Sequence, residues 1–293
     1  MNKTFITVAI NGSRVSKEMN PSVPVTIDEI VSDIVACFHA GASIAHVHTR
    51  HPLTHQQQID KAAFLQIKEK VSKQCNILLN FSTSGEFNDI EGLSVIGSFD
   101  GFQQKRVSVL DAKPDIATVD LGTINFGDKI FLNPTSFHQK LITSMLEHSV
   151  KPELEIFNVG DIELAKRLIS EYNLQSPPLF QFALGVTGGT PASVEDLVYL
   201  KSKLPSNAIW SAFGIGKNHL VILYATMAMG GHIRVGLEDN IYYKRGELTT
   251  NVELVQRAAR IIREFNNEVA AVADVKQMLE LNSKTEHDDV LCL

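Results

Sequence analysis

Two histidines separated by a single residue are the clearest sign of chemistry in this chain of 293 residues. His46 and His48 lie in the apolar stretch 44–50, which lacks glycine and proline and has the composition of a β-strand. Side chains two positions apart on a strand point to the same face, so both imidazoles lie on one side. Such a pair can bind a divalent metal ion if another part of the chain supplies a third ligand. The alternative is a pair of hydrogen-bonded polar residues.

The third ligand is expected from the late stretch 230–240, which places a cation and two carboxylates at the end of another predicted strand. Glu238 is the candidate ligand. The neighbouring Asp239, close to Arg234, can act as a general base whose pKa is tuned by the metal and the arginine. Two histidines and one carboxylate with open coordination positions suit zinc acting as a Lewis acid. They also suit non-haem iron(II) with oxygen, and the sequence does not separate the two metals.

Alternating strand and helix patterns would position these residues. Apolar strands are predicted at residues 5–10, 44–50, 77–81, 116–119, 153–157, 179–184, 208–213 and 232–235. A helical pattern follows nearly every strand, and the first helix begins at a capping box formed by Thr26 and Glu29. Eight such units favour an α/β fold of the (β/α)8 TIM-barrel type, with a doubly wound sheet as the alternative. A Gly-x-Gly-x-x-Gly motif does not follow the first strand, which argues against a dinucleotide-binding sheet.

The domain organisation follows from the same pattern. We predict one catalytic barrel domain over residues 1–281 and a short polar C-terminal tail at 282–293, because no shift in composition marks a linker. Residues 92–113 are less regular than the rest. In a barrel, the loops that follow the strands form one mouth. The polar residues predicted to converge there are Arg14, His46, His48, Ser82, Thr118, Asp120, Glu153, Glu155, Arg234, Glu238 and Asp239.

Convergence from so many strands is hard to explain by stability alone, because a buried polar group without a partner costs about 1–3 kcal/mol. Some members also have ordinary explanations. Glu153 and Glu155 can simply hydrogen-bond inside the barrel. His232, beside Gly231, is expected to be a packing histidine rather than a ligand.

Composition restricts the partners and the compartment. The formal net charge is −6 without a basic block, which argues against nucleic acid or an anionic membrane surface as a partner. The three cysteines match neither a disulfide framework nor a zinc knuckle, so a reducing cytoplasm is expected. No apolar run reaches the length of a signal peptide or a transmembrane span. We therefore expect small-molecule substrates and a cytoplasmic location.

Seven stretches, in matching order, give the chain a family resemblance. They are PVTIDE at 24–29, AGAS at 40–43, HVHTR at 46–50, NFST at 80–83, ATVD at 117–120 with GTINF at 122–126, KPELEIF at 151–157 and GGHIRVGLEDN at 230–240. With these residues the chain resembles the β-keto acid cleavage enzymes, typified by 3-keto-5-aminohexanoate cleavage enzyme, from residue 5 to about residue 281. The last stretch is long and distinctive.

The resemblance implies a TIM barrel with zinc held by His46, His48 and Glu238. It implies a reaction in which a β-keto acid and acetyl-CoA give acetoacetate and a new acyl-CoA. In the mechanism that the resemblance implies, zinc would polarise the carbonyl of the keto acid, the aspartate matching Asp239 would remove a proton, and the enolate-type nucleophile so formed would attack the acetyl thioester. CoA then migrates within the adduct, and a retro-Claisen step releases acetoacetate. A metal ion beside a developing enolate oxygen supplies the electrostatic stabilisation that this chemistry needs.

The resemblance also implies roles for four further residues and an oligomeric state. Asp239 matches the aspartate that removes the proton, and Arg234 matches the arginine that assists this acid–base work. Ser82 and Thr118 match residues that hold the carboxylate and oxygen atoms of the substrate. The family is tetrameric, so a homotetramer is expected.

One residue departs from the family pattern. The 3-keto-5-aminohexanoate enzymes carry a glutamate that pairs with the substrate's ammonium, and Arg14 occupies that position here. A cation should repel an ammonium and suits a second carboxylate, bound bidentately. We therefore expect a dicarboxylic β-keto acid, such as 3-oxoadipate or 3-oxoglutarate. The alternative is that Arg14 turns to solvent or contacts CoA.

The CoA phosphates need cations and backbone donors. Gly214, Gly216 and Lys217 follow the seventh predicted strand, where barrels often bind phosphate, and a second glycine-rich loop follows the sixth at 185–189. Ordinary tight turns explain both loops equally well.

Two rival functions remain at this point. A metal-dependent hydrolase of the amidohydrolase type also uses His-x-His in a barrel, but on its first strand, whereas here the pair lies on the second. A metal-stabilised binding protein that has lost catalysis would lack a ligand or the base. Neither His46, His48, Glu238 nor Asp239 is missing.

Overall fold

Eight parallel strands close into a barrel in the computed structural model, which describes residues 2–85, 87–90, 93–97, 100–174 and 177–281. The strands are β1 (Ile6–Ala9), β2 (Ile44–Val47), β3 (Leu78–Phe81), β4 (Ile116–Asp120), β5 (Lys151–Ile156), β6 (Leu179–Leu184), β7 (Ile209–Gly214) and β8 (His232–Val235). They pair in chain order, and β8 closes the ring against β1. The (β/α)8 prediction is therefore confirmed. The tail predicted at 282–293 lies outside the described residues.

Nine α-helices lie within the described ranges. They are α1 (Ile27–Ala40), α2 (Lys61–Ser72), α3 (Asp100–Val107), α4 (Thr135–Glu147), α5 (Val159–Glu171), α6 (Val194–Ser202), α7 (His219–Ala228), α8 (Asn251–Glu264) and α9 (Val272–Met278). Short 3-10 helices cover Ser108–Ala112 and Gly216–Asn218. None of these described helices is both long and apolar enough to cross a lipid bilayer.

Helix α1 begins where the sequence indicates. The hydroxyl of Thr26 accepts a hydrogen bond from the N–H of Glu29 at 3.3 Å, and the Glu29 carboxylate accepts one from the N–H of Thr26 at 3.0 Å. This reciprocal pair is the predicted capping box. The helix ends at Gly41, whose φ of 118° is a conformation that glycine adopts without strain.

The two ends of the barrel differ in polarity. At the amino ends of the strands, Phe5, Ile44 and Leu179 form an apolar layer that packs against Val272 and Val275 of α9. The carboxyl ends carry polar side chains instead. Since α9 covers the apolar end, ligands have access from the opposite end, where the loops after the strands meet.

The structure contains a small sheet that the sequence did not predict. Four short strands form it in the order Phe87–Ile90, Leu93–Gly97, Lys129–Leu132 and Ile124–Phe126. Part of it, together with α3, falls in the stretch described above as less regular. Two-stranded pairings also join Lys3–Thr4 to Glu268–Val269 and Tyr242–Lys244 to Glu247–Leu248.

Candidate metal centre and active site

A cavity of about 660 Å³ opens at the carboxyl ends of the strands. Of the eleven residues predicted to converge at the mouth, all except Glu153 line this cavity. Glu153 lies deeper in the barrel, where its carboxylate accepts a hydrogen bond from Asn80 Nδ2 at 2.6 Å. Glu153 is therefore explained by a hydrogen bond inside the barrel, whereas Glu155 lines the cavity.

His46, His48 and Glu238 form the cluster that is able to hold a metal ion. The two Nε2 atoms are 3.1 Å apart. The Glu238 carboxylate lies 3.6 Å from His46 Nε2 and 3.4 Å from His48 Nε2, measured to its nearer oxygen in each case. For a tetrahedral ion with bonds of about 2.0–2.2 Å, neighbouring ligand atoms lie about 3.3–3.6 Å apart. The two distances to Glu238 lie in this range, and the distance between the imidazoles is about 0.2 Å shorter, so the three side chains are close to the spacing that a tetrahedral ion such as zinc requires.

The protonation states of the cluster also suit a metal. Burial lowers the pKa of His46 to about 3, so the imidazole is neutral at neutral pH. Burial acts to raise the pKa of Glu238, but Arg234 and the two histidines outweigh it and hold that pKa well below its usual value. Among the described residues, Glu238 Oε2 has no hydrogen-bond partner. A buried carboxylate oxygen beside two imidazoles is an arrangement that a cation would satisfy.

The loop after β1 holds two of these ligands in place. β2 ends at Val47, earlier than predicted, so His48 lies just beyond the strand. The side chain of buried Asn11 binds the backbone of His48 instead of a neighbouring strand. Its Oδ1 accepts a hydrogen bond from His48 N, and its Nδ2 donates one to His48 O, both at 3.1 Å. Next to it, Gly12 leaves the space that the Glu238 side chain occupies. In the sequence, this Asn-Gly pair directly follows the first predicted strand, and nothing there indicates its contacts with His48 and Glu238.

Arg234 and Asp239 form a bidentate ion pair inside the cavity. Nε and Nη2 of Arg234 donate to the two carboxylate oxygens of Asp239, each at 2.9 Å. Nη2 also donates to Glu238 Oε1 at 2.9 Å, and the guanidinium stacks 4.0 Å from the centre of the Phe213 ring. Burial raises the pKa of Asp239 to about 6, against the opposing effect of Arg234.

Ser82 and Thr118 reach the cavity from adjacent strands β3 and β4. Ser82 Oγ lies 2.8 Å from Ser84 Oγ. Thr118 Oγ1 accepts a hydrogen bond from Thr83 N at 3.2 Å, and the Thr83 hydroxyl donates to Thr118 O at 2.8 Å. Both residues thus line the cavity that His46, His48 and Glu238 also line, and their contacts with substrate stay a prediction.

Arg106 is a neighbour of the site that sequence reasoning missed. Its side chain is fully buried, with Nη2 3.5 Å from Asp120 Oδ2 and the guanidinium 3.8 Å from the centre of the Phe137 ring. Burial lowers its pKa to about 10, so it remains a cation at neutral pH. It therefore supplies positive charge behind Asp120. Its stretch of sequence shows no clear periodicity, and nothing there marks it as buried.

Arg14 lines the mouth of the cavity. Its guanidinium lies 4.8 Å from the centre of the Phe126 ring, in the small sheet beside the barrel. The side chain is exposed on its other side. This position is compatible with contact to a substrate carboxylate or to CoA.

The glycine-rich loop after β7 has a structural use. The N–H of Ile215 donates to Leu184 O at 2.9 Å, and the N–H of Gly216 donates to Asp239 O at 3.1 Å. Gly214 ends the strand, Gly216 lines the cavity and Lys217 is exposed. Two backbone donors of the loop are therefore already used, and its role in binding CoA stays a prediction.

His232 lies outside the site. Its ring stacks on Phe5, with ring centres 3.8 Å apart, and its Nδ1 accepts a hydrogen bond from Phe5 N at 3.2 Å. The structure therefore has it as a packing histidine, as expected from the sequence.

The fold and the site define a class of proteins: (β/α)8 barrels that hold a His–His–carboxylate cluster and an Arg–Asp pair at the mouth. The sequence profile of the beta-keto acid cleavage enzyme family matches residues 3–281, and the chain belongs to this family.

Named relatives extend over almost the whole chain. The 3-keto-5-aminohexanoate cleavage enzyme of Fusobacterium nucleatum is 36% identical over 284 residues, which cover 96% of this chain and 99% of that protein. The 3-oxoadipate:acetyl-CoA acetyltransferase of Cupriavidus necator is 31% identical over 285 residues, 95% of each chain. The apo structure of ObcA superposes with a TM-score of 0.76 at 18% identity. That match covers 90% of this chain but 66% of ObcA, and it concerns the fold alone.

Proposed function

We propose that this chain is a zinc-dependent β-keto acid cleavage enzyme that converts a β-keto acid and acetyl-CoA into acetoacetate and a new acyl-CoA. The observation that carries the proposal is the spacing of His46, His48 and Glu238, which suits a tetrahedral ion with an open position. Membership of the family and the acetyl-CoA named in one relative's activity support the reaction.

The metal, when bound, supplies a Lewis acid for the carbonyl of the keto acid. Asp239 removes the proton from the carbon between the two carbonyl groups. Its carboxylate is held by Arg234 in a fixed orientation, so little rearrangement is needed at the moment of proton transfer. Arg234 Nη1 has no hydrogen-bond partner among the described residues, and we assign it to the negative charge that develops on the substrate.

Ser82 and Thr118 are proposed to hold the substrate's carboxylate and oxygen atoms. Both residues line the cavity on the side of β3 and β4. Thr118 Oγ1 accepts a hydrogen bond from Thr83 N, and Ser82 Oγ accepts one from Ser84 N, so each hydroxyl hydrogen can be donated to an anion.

The preferred substrate is proposed to be a dicarboxylic β-keto acid. Arg14 is a cation at the rim, and its stacking on Phe126 holds it in place without neutralising its charge. The overall identity is higher to a relative named for an amino substrate than to one named for 3-oxoadipate. We rely on the residue at the rim rather than on overall identity, because specificity depends on the few groups that contact the substrate.

A coupled assay for acetoacetate tests this function. Purified protein would be given acetyl-CoA and a panel containing 3-oxoadipate, 3-oxoglutarate and 3-keto-5-aminohexanoate. We expect activity that a chelator abolishes and zinc restores, highest with the dicarboxylic acids. The assay is repeated on protein reconstituted with iron(II) in place of zinc, in the absence of oxygen, and the acetoacetate formed with each metal is compared. Acetoacetate formation that is insensitive to chelator would contradict the metal site, and a preference for the amino acid would contradict the substrate assignment.

CoA is proposed to bind across the loop that contains Gly214, Gly216 and Lys217. The loop forms the rim on the side of β7, and the exposed ammonium of Lys217 is free to approach a phosphate from solvent. Replacement of Lys217 by Ala should raise the KM for acetyl-CoA and leave that for the keto acid unchanged.

A homotetramer in the cytoplasm completes the proposal. The outer faces of the packed helices α6 and α7 display exposed apolar side chains, among them Val198, Tyr199, Val221 and Tyr224. Exposed apolar surface of this kind is typical of subunit interfaces. Light scattering coupled to gel filtration measures the mass of the assembly directly.

A further inference from the structure

Gln57 lies beside the metal centre without belonging to it. It ends the loop 50–57 that follows β2. An isolated antiparallel bridge between Arg50 and Gln57 closes this loop, together with a hydrogen bond from His51 N to Gln56 O at 2.8 Å. The Gln57 side chain is buried, whereas the neighbouring Gln56 is exposed. The fold of this loop therefore buries the side chain of the second of three successive glutamines.

The Gln57 carboxamide contacts the far side of a proposed metal ligand. Its Nε2 lies 3.2 Å from His48 Nδ1 and 2.8 Å from Ser84 Oγ. Ser84 Oγ in turn lies 2.8 Å from Ser82 Oγ. A continuous row of polar groups thus runs from the ring of His48 to a hydroxyl proposed to contact substrate.

The tautomer of His48 decides whether it can bind a metal. A neutral imidazole carries one proton, and the nitrogen that ligates a metal must be without it. When the carboxamide nitrogen of Gln57 donates to Nδ1, the proton of His48 lies on Nε2. There it can form a hydrogen bond with His46 Nε2, 3.1 Å away. This state suits the protein without metal and excludes a metal from Nε2.

A half-turn of the carboxamide reverses this arrangement. It exchanges Oε1 and Nε2 without changing the shape of the side chain. Oε1, which has no partner among the described residues in the first orientation, then accepts from His48 Nδ1–H and from the Ser84 hydroxyl. Each orientation leaves one end of the amide without a partner among the described residues, and each satisfies the other end through His48 Nδ1 and Ser84 Oγ. Metal binding selects the second orientation, because only that orientation leaves His48 Nε2 without a proton.

We propose that Gln57 is a positioning residue whose carboxamide oxygen accepts a hydrogen bond from His48 Nδ1–H and so holds this imidazole in its metal-binding tautomer. The inference rests on the metal site of the proposed function. Metal binding then shifts one proton of His48 from Nε2 to Nδ1, with no net gain or loss of protons, and turns the carboxamide. The hydrogen bond between Gln57 and Ser84 reverses at the same time, which connects metal loading to the hydroxyls at the substrate side.

Three variants test the role in metal binding. Gln57→Leu removes the acceptor and keeps the volume, and its zinc affinity, measured by competition with a chelator, should fall about 10- to 100-fold. Gln57→Glu offers an acceptor in either orientation and should bind zinc at least as tightly as the wild type. Gln56→Leu makes the same change at an exposed neighbour and should have no effect. An unchanged affinity of Gln57→Leu would overturn the proposal.

The tautomer itself is measured by ¹⁵N NMR of histidine-labelled protein, with His48→Ala to assign the signals. In the wild type the proton of His48 should lie on Nε2 without metal and on Nδ1 with zinc. In Gln57→Glu it should lie on Nδ1 in both states, a result that a merely structural role would not produce. This readout remains decisive if Gln57→Leu does not fold. The same tautomer of wild-type His48 with and without zinc would overturn the switch.

Failure of the metal site itself would look different. A wild-type protein that binds no zinc would overturn the proposed function together with this inference. Wild-type binding that is unaffected by Gln57→Leu would overturn the role of Gln57 alone.

Discussion

Gly12 and Glu238 are in contact across the seam where the barrel closes. A Cβ atom on Gly12 would lie 2.4 Å from Cγ of Glu238, and the φ of Gly12 is +51°. The contact exists because β8 pairs with β1, which brings the loops after the first and last strands together. A glycine early in the chain thereby leaves room for a carboxylate late in the chain.

Replacement of Gly12 by Ala is expected to displace Glu238 and weaken metal binding. The clash with Glu238 acts on the metal site, whereas strain at a positive φ, about 1–3 kcal/mol, acts on folding stability. A loss of about 1.4 kcal/mol at the metal site corresponds to a tenfold change in affinity. We expect zinc affinity to fall about tenfold or more, measured by competition with a chelator. Gly230→Ala is the matched control, because Gly230 has a φ of +79° with nothing within 4 Å of an added Cβ. Equal losses of affinity in both variants would contradict the contact with Glu238.

Metal removal should lower the stability of the wild type but not of Glu238→Gln. Zinc at a hundred times its dissociation constant stabilises the folded state by about 2.7 kcal/mol. That corresponds to roughly 5 °C in melting temperature for a chain of this size. Gln keeps the shape of Glu238 but removes the charged ligand, so the zinc-dependent shift should disappear. Glu264→Gln, at an exposed carboxylate of α8, should retain it. A full shift in Glu238→Gln would exclude Glu238 as a ligand.

The barrel could be predicted from the sequence because its strands are segments of four to six residues, either mostly apolar or, as in β5 and β8, alternating polar and apolar, with helical patterns between them. The small sheet beside the mouth could not be predicted in the same way. Its strand Ile124–Phe126 has three residues, too few for a period, and only Ile124 is buried. Such strands form because the barrel next to them provides a surface, a condition that does not appear in local sequence.

The candidate site was predictable where spacing alone carries the information. His46 and His48 are two positions apart, and their rings meet even though β2 ends at Val47. Gln57 and Arg106 had no such signal. Which of three successive glutamines turns inward, and whether an arginine is buried against aromatic rings, depends on residues distant along the chain.

Charge reversal at Arg14 should exchange the substrate preference. Arg14→Glu replaces attraction for a second carboxylate by repulsion, and it creates attraction for an ammonium group. We expect kcat/KM for 3-oxoadipate relative to 3-keto-5-aminohexanoate to fall about tenfold or more, since each 1.4 kcal/mol is a factor of ten. Arg263→Glu makes the same charge change on the exposed face of α8. An unchanged ratio in Arg14→Glu would remove Arg14 from substrate selection.

Asp239→Asn should separate proton transfer from metal binding. The amide has the shape of the carboxylate but cannot accept the proton, and loss of a general base costs about 10²- to 10⁴-fold in rate. We expect kcat to fall by that factor while the zinc-dependent shift in melting temperature is retained. Asp111→Asn, at a surface carboxylate paired with Lys61, should change neither. Simultaneous loss of the zinc response would mean that Asp239 acts through the metal site and not as the base.

His232 should make the protein less stable in mild acid. Burial lowers its pKa from 6.5 to about 4, so between these pH values the unfolded chain binds a proton that the folded chain does not. The free energy of unfolding therefore falls as the pH falls from 6.5 to 4, by about 3 kcal/mol from this residue. His232→Phe retains the aromatic packing on Phe5 but cannot titrate.

The comparison concerns slopes rather than absolute stability, because Phe also removes the acceptor for Phe5 N. Urea unfolding between pH 4 and 6.5 should give a flatter dependence on pH for His232→Phe than for the wild type. His39→Phe, at an exposed position of α1, is the control and should leave the wild-type slope unchanged. Parallel slopes for the wild type and His232→Phe would show that the half-buried ring at the amino end of β8 does not contribute to acid sensitivity.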